Sequence, residues 1–483
     1  MRADTSASNK TGKEEGAVPH KNKVVGFPAP INFMMKKKYA KWRTDCLQPD
    51  NNEMSVLAHV TPKYRKTIRR IAFDDIPPEE IPPNAVRMDE NYADKNADVR
   101  ILSWMTDDGT MHCWTDADAI QMTDDSRTIF ADLPLAEEID LSRIDMSQMT
   151  KMKSMFMNDR NLRVVNLSGM DTSNVYDMSF MFDGCEMLES VNLSGIDASN
   201  VVDTRFMFRS CASLSEIDLA AFKKSKIINI RSMFDGCESL RSIDISPLDT
   251  SRVKNFSRLF ACTGLRNLDL SAMDMSSARV MSDMMAGCSD LRTINLPHGT
   301  SGVIAMNGLL SGCRSLESAD LSPLDTFSVK EFSCMFERCK SLTSLDVTPL
   351  NTHSGENMSG MFQECRGLRN LDLSSFDTSS LRYADYMFYF DTGLKSLDLT
   401  GMDTRNVLSM DSMFDSCRGL GKLDLSSFDM SGVKSHYNMF NNCRKLGTVT
   451  VSDKWDEDIS HAGTTFEKKD NRNRLFHREN RNR

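Results

Sequence analysis

From Cys185 to Cys211 the chain reads C-E-M-L-E-S-V-N-L-S-G-I-D-A-S-N-V-V-D-T-R-F-M-F-R-S-C. The cysteine that closes this unit opens the next. The mark returns at Cys237, Cys262, Cys288, Cys313, Cys339 and Cys365, then at Cys417 and Cys443, with Asp391 standing once in its place. The step is about 26 residues, sometimes 25. Apolar residues keep fixed places in each copy, as C-x-x-L-x-x-L-x-L. Fixed apolar columns at such a period predict a solenoid of stacked rungs, each too small to bury its apolar face alone.

Each unit has two halves. The first is typified by Leu371-Asp372-Leu373. Its period of two turns both leucines inward and the acid outward, as a strand does. The second is typified by Asp403 to Phe414, in which Val407, Met410 and Met413 lie three apart. That spacing suits a 3₁₀ or short α turn with one buried face; a short second strand through the valine is the alternative. The fold class expected is an α/β repeat solenoid of the leucine-rich-repeat kind. It would be a right-handed coil of about 12 rungs, with a parallel sheet on one face and short helical turns on the other.

Working outward, residues 131–452 form the array. Residues 99–130 form an N-terminal cap, a hairpin turning at Asp108-Gly109 with Trp104 and Trp114 to cover the first rung. Residues 1–98 are polar and Pro-rich (Asp74 to Pro83) and are expected to be disordered or weakly structured. Residues 453–483 form a C-terminal cap at Trp455 and a basic tail. The unit at Leu296-Pro297-His298-Gly299 is short and lacks the Asp-Thr turn, which predicts a local kink or bulge.

The net charge is −9, yet residues 1–50 and 468–483 each carry about +5, leaving about −19 between them. An acidic body argues against nucleic acid as the ligand, because phosphate binding needs clustered Lys and Arg. No run of eighteen apolar residues is present, so no membrane insertion is expected. The polar start of the chain lacks the apolar core of a secretory signal.

The cysteine column (Cys185, Cys211, Cys237, Cys262, Cys288, Cys313, Cys339, Cys365, Cys417 and Cys443) is the most visible candidate for chemistry. In-register neighbours would lie within reach of a disulfide. A ladder of buried thiols filling small spaces is the favoured reading. There is no C-x-x-C pair, and a parallel ladder offers zinc no tetrahedral site, so no metal is expected. The outward acid column holds Asp140, Asn166, Asn192, Asp218, Asp244, Asp269, Asn295, Asp320, Asp346, Asp372, Asp398 and Asp424. Stacked carboxylates repel one another. Arg241, Arg266, Arg292, Arg369 and Lys395, just upstream, are read as sharing that face and relieving the repulsion. The aspartates and these bases make up the candidate binding face. A solvated ladder and a site for cations or a basic partner are both readings of it. Calcium would need six to eight converging oxygens, which a flat column does not guarantee. Catalysis and cofactors are not expected, because no P-loop, G-x-G-x-x-G, H-E-x-x-H or G-x-S-x-G is present.

These units resemble the bacterial surface leucine-rich repeats of the BspA type, in the subgroup whose motif approximates L-D-L-S-x-F-D-T-S-N-V-x-x-M-x-x-M-F-x-x-C. Leu371 to Phe388, Leu423 to Cys443 and Val191 to Cys211 carry the match. The resemblance implies a surface or secreted adhesion protein of a host-associated bacterium. Its partner would be a protein or glycan on a host or neighbouring cell. An intracellular protein–protein interaction scaffold is the alternative, suggested by the many thiols.

Overall fold

The computed structural model describes residues 39–41, 66–87, 100–124, 130–456, 459 and 463–469. All belong to one compact unit, Lys38–Arg483. In the array the strands are β9 (Val164–Asn166), β10 (Ser190–Asn192), β11 (Asn267–Asp269), β12 (Thr293–Asn295), β13 (Asn370–Asp372) and β14 (Ser396–Asp398). Neighbours pair in parallel one period apart, as Asn370 with Ser396, Leu371 with Leu397 and Asp372 with Asp398. The middle residue of each points into the core and its flanks face outward, as the two-residue alternation requires.

The second half of each rung is not helical. In the rung after Asp403, a chain of tight turns runs Thr404 to Val407, Met410 to Met413, Phe414 to Cys417 and Cys417 to Leu420, each closed by an N–H to the carbonyl three residues back. Ser412 and Ser416 sit in the left-handed region, with φ 53° and 62°. A left-handed residue every fourth position breaks a right-handed helix and instead suits the third residue of a β-turn. The N–H groups of Met410, Ser412, Phe414 and Ser416 donate to Ser435, Tyr437, Met439 and Asn441 of the next rung. The apolar spacing of three therefore marks turn corners, not a helical face. A second line of parallel bridges runs along this side, from Asn255 through Val280, Ala305, Glu331, Asn357, Tyr383 and Ser409 to Ser435. It carries its register through the short unit at Pro297, where a kink was expected. Thr300 there still occupies the buried threonine position and bonds Asp325.

Identical side chains stack along the core. Phe156, Phe182, Phe208, Phe234 and Phe260 are fully buried and stacked nearly parallel, 5.3 to 5.9 Å apart. Met285 and Leu310 interrupt the column, which resumes at Phe336, Phe362, Phe388, Phe414 and Phe440.

The N-terminal end differs from expectation. Residues before 99 supply β1 (Tyr39–Lys41), β2 (Arg70–Phe73) and β3 (Val86–Arg87). The hairpin of β4 (Ile101–Met105) and β5 (Thr110–Thr115) joins β3, β2 and β7 (Glu138–Ile139) in one sheet, ordered β3-β4-β5-β2-β7. β2 lies inside that sheet, parallel to both β5 and β7, and buries Ile68 and Ile71. β1 pairs with β6 (Ala119–Gln121), which pairs with β8 (Ile144–Asp145). The Pro-rich stretch expected to be disordered forms a short 3₁₀ turn at Pro78–Glu80, and residues 1–38, 42–65 and 88–98 lie outside the described residues. At the other end, β15 (Lys422–Leu425), β16 (Thr448–Val451) and β17 (Thr465–Lys468) form the last sheet, where Phe440, Trp455 and Phe466 cluster.

Removing one ring from the buried stack should cost far more than removing an exposed one. Phe362→Ala is expected to lower unfolding stability by about 3–5 kcal/mol, and Phe327→Ala, at an exposed turn, by less than about 0.5 kcal/mol. Urea denaturation of both variants measures the contrast; equal losses would contradict the stacked core.

Candidate functional site

The thiol column is built from the F-x-x-C turn. The Cys211 N–H donates to the Phe208 carbonyl in its own rung, and the Cys211 thiol donates to the Phe182 carbonyl one rung back, at 3.1 Å. The same bond recurs at Cys185, Cys237, Cys288, Cys313, Cys339, Cys365, Cys417 and Cys443, at 2.9 to 3.3 Å. Each carbonyl thus uses both lone pairs. Burial pushes these thiols up, Cys288 to about 11 and Cys339 to about 12. A protonated, buried thiol is a poor nucleophile.

Cys262 is a correction. Counting F-x-x-C from Phe260 reaches Thr263, whose hydroxyl bonds the Phe260 carbonyl at 2.9 Å. Cys262 falls one residue early, at a left-handed corner with φ 55°, and is exposed. From Thr263 to Leu265 the chain is one residue short, so Cys262 keeps the C-x-x-L spacing and hides the shift.

Asp391 stands inside the ladder, fully buried between Cys365 and Cys417, with Oδ1 lacking a partner among the described residues. Burial holds its carboxyl well above the usual range, against a backbone N–H from Cys365. Asp159, also buried, accepts the Leu133 N–H at 2.8 Å.

The acid column faces outward at the end of each strand, and each side chain closes a turn. The residue two positions on donates its backbone N–H to Asp218, Asp244, Asp269, Asp320, Asp346, Asp372, Asp398 and Asp424 at 2.8 to 3.0 Å. Asn166 and Asn192 do the same through Oδ1. At Asn295 the residue two on is Pro297, which has no N–H. At Asp269, Asp346 and Asp372 the neighbouring hydroxyl and then the N–H hold the carboxyl below its ordinary value; at Asp244 and Asp320 the N–H leads. Local donors, not bases, thus stabilise the charge.

The five bases do not serve the column. Each stands three positions before its column residue, exposed and just ahead of the strand stretch that carries the acid. Arg241 bonds Asp290 and the Gly264 carbonyl, and Arg369 bonds the Gly393 carbonyl. Arg266, Arg292 and Lys395 form no ion pair among the described residues. Asp424 instead has Lys469 of the C-terminal segment at 3.8 Å. No group of three His, Cys, Asp or Glu side chains among the described residues is placed to hold a metal ion.

Sequence reasoning missed a buried threonine column. The Thr404 hydroxyl donates to the Asp429 carbonyl at 3.0 Å and accepts the Asp429 N–H at 2.7 Å. Thr172, Thr300 and Thr378 staple Asp197, Asp325 and Asp403 in the same reciprocal way. The recurring Asp-Thr pair was the available signal.

Outside the core, the sheet face presents two polar columns. Thr293 donates to Asn267 and Ser396 to Asn370, linking rungs at 2.7 and 2.6 Å. Beside them a shallow cavity of about 740 Å³ spans several rungs, lined by Asp346, Asn370, Asp372, Ser396, Asp398 and Asp424 among others. This is the candidate binding face.

Stacked parallel rungs with an exposed polar face define a repeat protein with an extended surface. The chain belongs to the family described as Mycoplasma protein of unknown function, DUF285, whose model matches residues 124–239, 210–298, 293–397 and 370–477. Among solved structures, it is similar to a leucine-rich repeat protein from Bacteroides ovatus (16% identity, 67% of this chain and 88% of that one, TM-score 0.31). It is also similar to a leucine rich cell surface protein from Faecalibacterium prausnitzii (14% identity, 78% of this chain and 95% of that one, TM-score 0.38). No curated protein matches the sequence.

Two substitutions test the ladders. Thr404→Val removes both bonds to Asp429 at nearly constant volume, and should cost about 1–3 kcal/mol in urea denaturation; an unchanged midpoint would contradict the staple. Asp391→Cys restores the thiol ladder. The folded pKa of Asp391 lies above the unfolded value, so its contribution is full below about pH 4 and is lost as pH rises toward the folded value. Asp391→Cys should therefore raise Tm more at pH 8 than at pH 4; an equal gain at both pH values would contradict a carboxyl held above its usual range by burial.

Proposed function

We propose that this chain is a non-enzymatic macromolecule-binding repeat protein that presents the outer face of its sheet columns to a protein or glycan. The observation that carries this reading is the cavity along Asp346, Asp372, Asp398 and Asp424. There, carboxylates and Ser, Asn and Thr side chains repeat at the strand spacing, about 4.8 Å. A ligand laid along the rungs would meet the same polar groups again at each step, so affinity would come from many modest contacts. The resemblance of the repeat motif to BspA-type sequences supports a partner on a host or neighbouring cell, with the protein displayed or secreted by a host-associated bacterium. The scaffold alternative rested on the thiols, and buried, hydrogen-bonded thiols suit either compartment.

Asparagine keeps the turn acceptor while removing the charge, as Asn166 and Asn192 illustrate. Asp346→Asn, Asp372→Asn, Asp398→Asn and Asp424→Asn combined should leave Tm close to the parent value. On an array of host glycans and matrix proteins, the same variant should bind at least tenfold more weakly. Undiminished binding would overturn the assignment of this face. Protease shaving of intact cells tests display: a chain untouched until lysis would count against it.

A further inference from the structure

Two rows of left-handed corners flank the buried Met and Phe of each turn, and they demand a backbone conformation but no particular side chain. The first row holds Ser154, Ser232, Gly308, Gly360, Ser412 and Asn438, among others, with φ between 53° and 64°. Gly, Asn and small polar residues suit this region; a bulky ring there is a genuine outlier. Yet Phe180 and Phe206 occupy the row on consecutive rungs, at φ 59° and 58°. Both are half-buried, and neither belongs to the core. Each spends conformational strain without filling the interior, and strain of that kind collects at functional sites.

The rings stack on each other at 4.8 Å, and cations surround them. The Arg209 guanidinium lies 4.7 Å over Phe206, and Arg231 lies 5.7 Å over the same ring. Arg205 and Lys153 lie 5.9 and 5.7 Å over Phe180. Asp183 holds Arg209 and Asp203 holds Arg205. Lys153 and Arg231 have no ion pair among the described residues. A cationic, aromatic patch thus stands on a chain of net charge −9. The combination recurs late in the array, where Phe390, at φ 63° in the second corner row, lies between Arg366 at 5.0 Å and Arg418 at 5.3 Å.

We infer that the Phe180–Phe206 corner is a second docking surface, separate from the sheet face, for an acidic polypeptide segment carrying aromatic side chains. An incoming ring would stack on the exposed edge of the pair while carboxylates meet Lys153 and Arg231. Aromatic and arginine side chains are the groups that dominate protein–protein recognition, and complementary charge would steer the encounter.

The test uses the purified full chain and a fluorescent random copolymer of glutamate and tyrosine, with polyglutamate and heparin as comparison probes. Binding should be tighter to the Glu–Tyr copolymer than to polyglutamate and should weaken with salt. Phe180→Ser with Phe206→Ser places in both corners the residue already found at Ser154 and Ser232. This variant should keep the parent Tm or exceed it while losing at least tenfold in affinity. Lys153→Gln with Arg231→Gln should lose a similar factor and reduce the salt dependence. Copolymer binding unchanged in the serine variant would overturn the proposal, as would heparin binding with no copolymer binding, which would mark an anionic polysaccharide site instead. Loss of the sheet-face partner through the asparagine substitutions, with copolymer binding intact, would keep the two surfaces distinct.

Discussion

Every rung depends on backbone hydrogen bonds to the copy one period away. A three-residue strand is far too short to persist alone, and the turns that follow it bury little by themselves. The N–H groups of Met410, Ser412, Phe414 and Ser416 all donate forward to the next rung, while the intervening residues close turns within their own. This alternation demands the same backbone path in every copy. It explains why the left-handed corners recur at Ser154, Phe180, Phe206 and Ser232 whatever side chain is present. Single-residue shortenings near Gly264 and around Pro297 fall between the strand and turn columns that carry the register.

Stacking in register then decides which side chains the interior accepts. A phenylalanine lies over a phenylalanine because the backbones beneath them are superposed. A thiol finds the carbonyl of the rung behind it, and a threonine finds both backbone groups of the residue after the next strand. The same rule that favours apolar repetition would penalise repeated charge. The acid column avoids that penalty by giving each carboxylate its own N–H donor, so the columns at Asp244, Asp269 and Asp320 need no neighbouring base. Asp391 shows the opposite case, a carboxyl set where the stack expects a thiol and left with an oxygen unpartnered.

Most of the residues that first suggest chemistry are therefore used by the fold. The thiols are donors to carbonyls, and the aspartates are turn acceptors. The side chain is free where the backbone alone is prescribed: at the outer strand residues and the left-handed corners. The strand positions are filled by small polar groups suited to repeated contacts. The corners are filled by whatever tolerates the conformation, which is why paired rings at Phe180 and Phe206 stand apart from the serines beside them.

The sequence by itself determined the period, the inward leucines, methionines and phenylalanines, the outward acids and the cysteine mark, because each is a spacing within one copy. Only the tertiary structure decided the rest, because the deciding partner lies a full rung or more away. The run Val407, Met410, Met413 reads as one helical face until the bonds to Ser435 and Tyr437 appear. Cys262 reads as a ladder member until Phe260 fixes the count at Thr263. Arg369 reads as a partner of Asp372 until its bond to the Gly393 carbonyl appears. The segment around β2 reads as linker because its partners, at residues 110–113 and 138–139, lie some forty and seventy residues ahead. Local pattern records which side chains must be buried; only the stacked backbone records what each buried or exposed group meets.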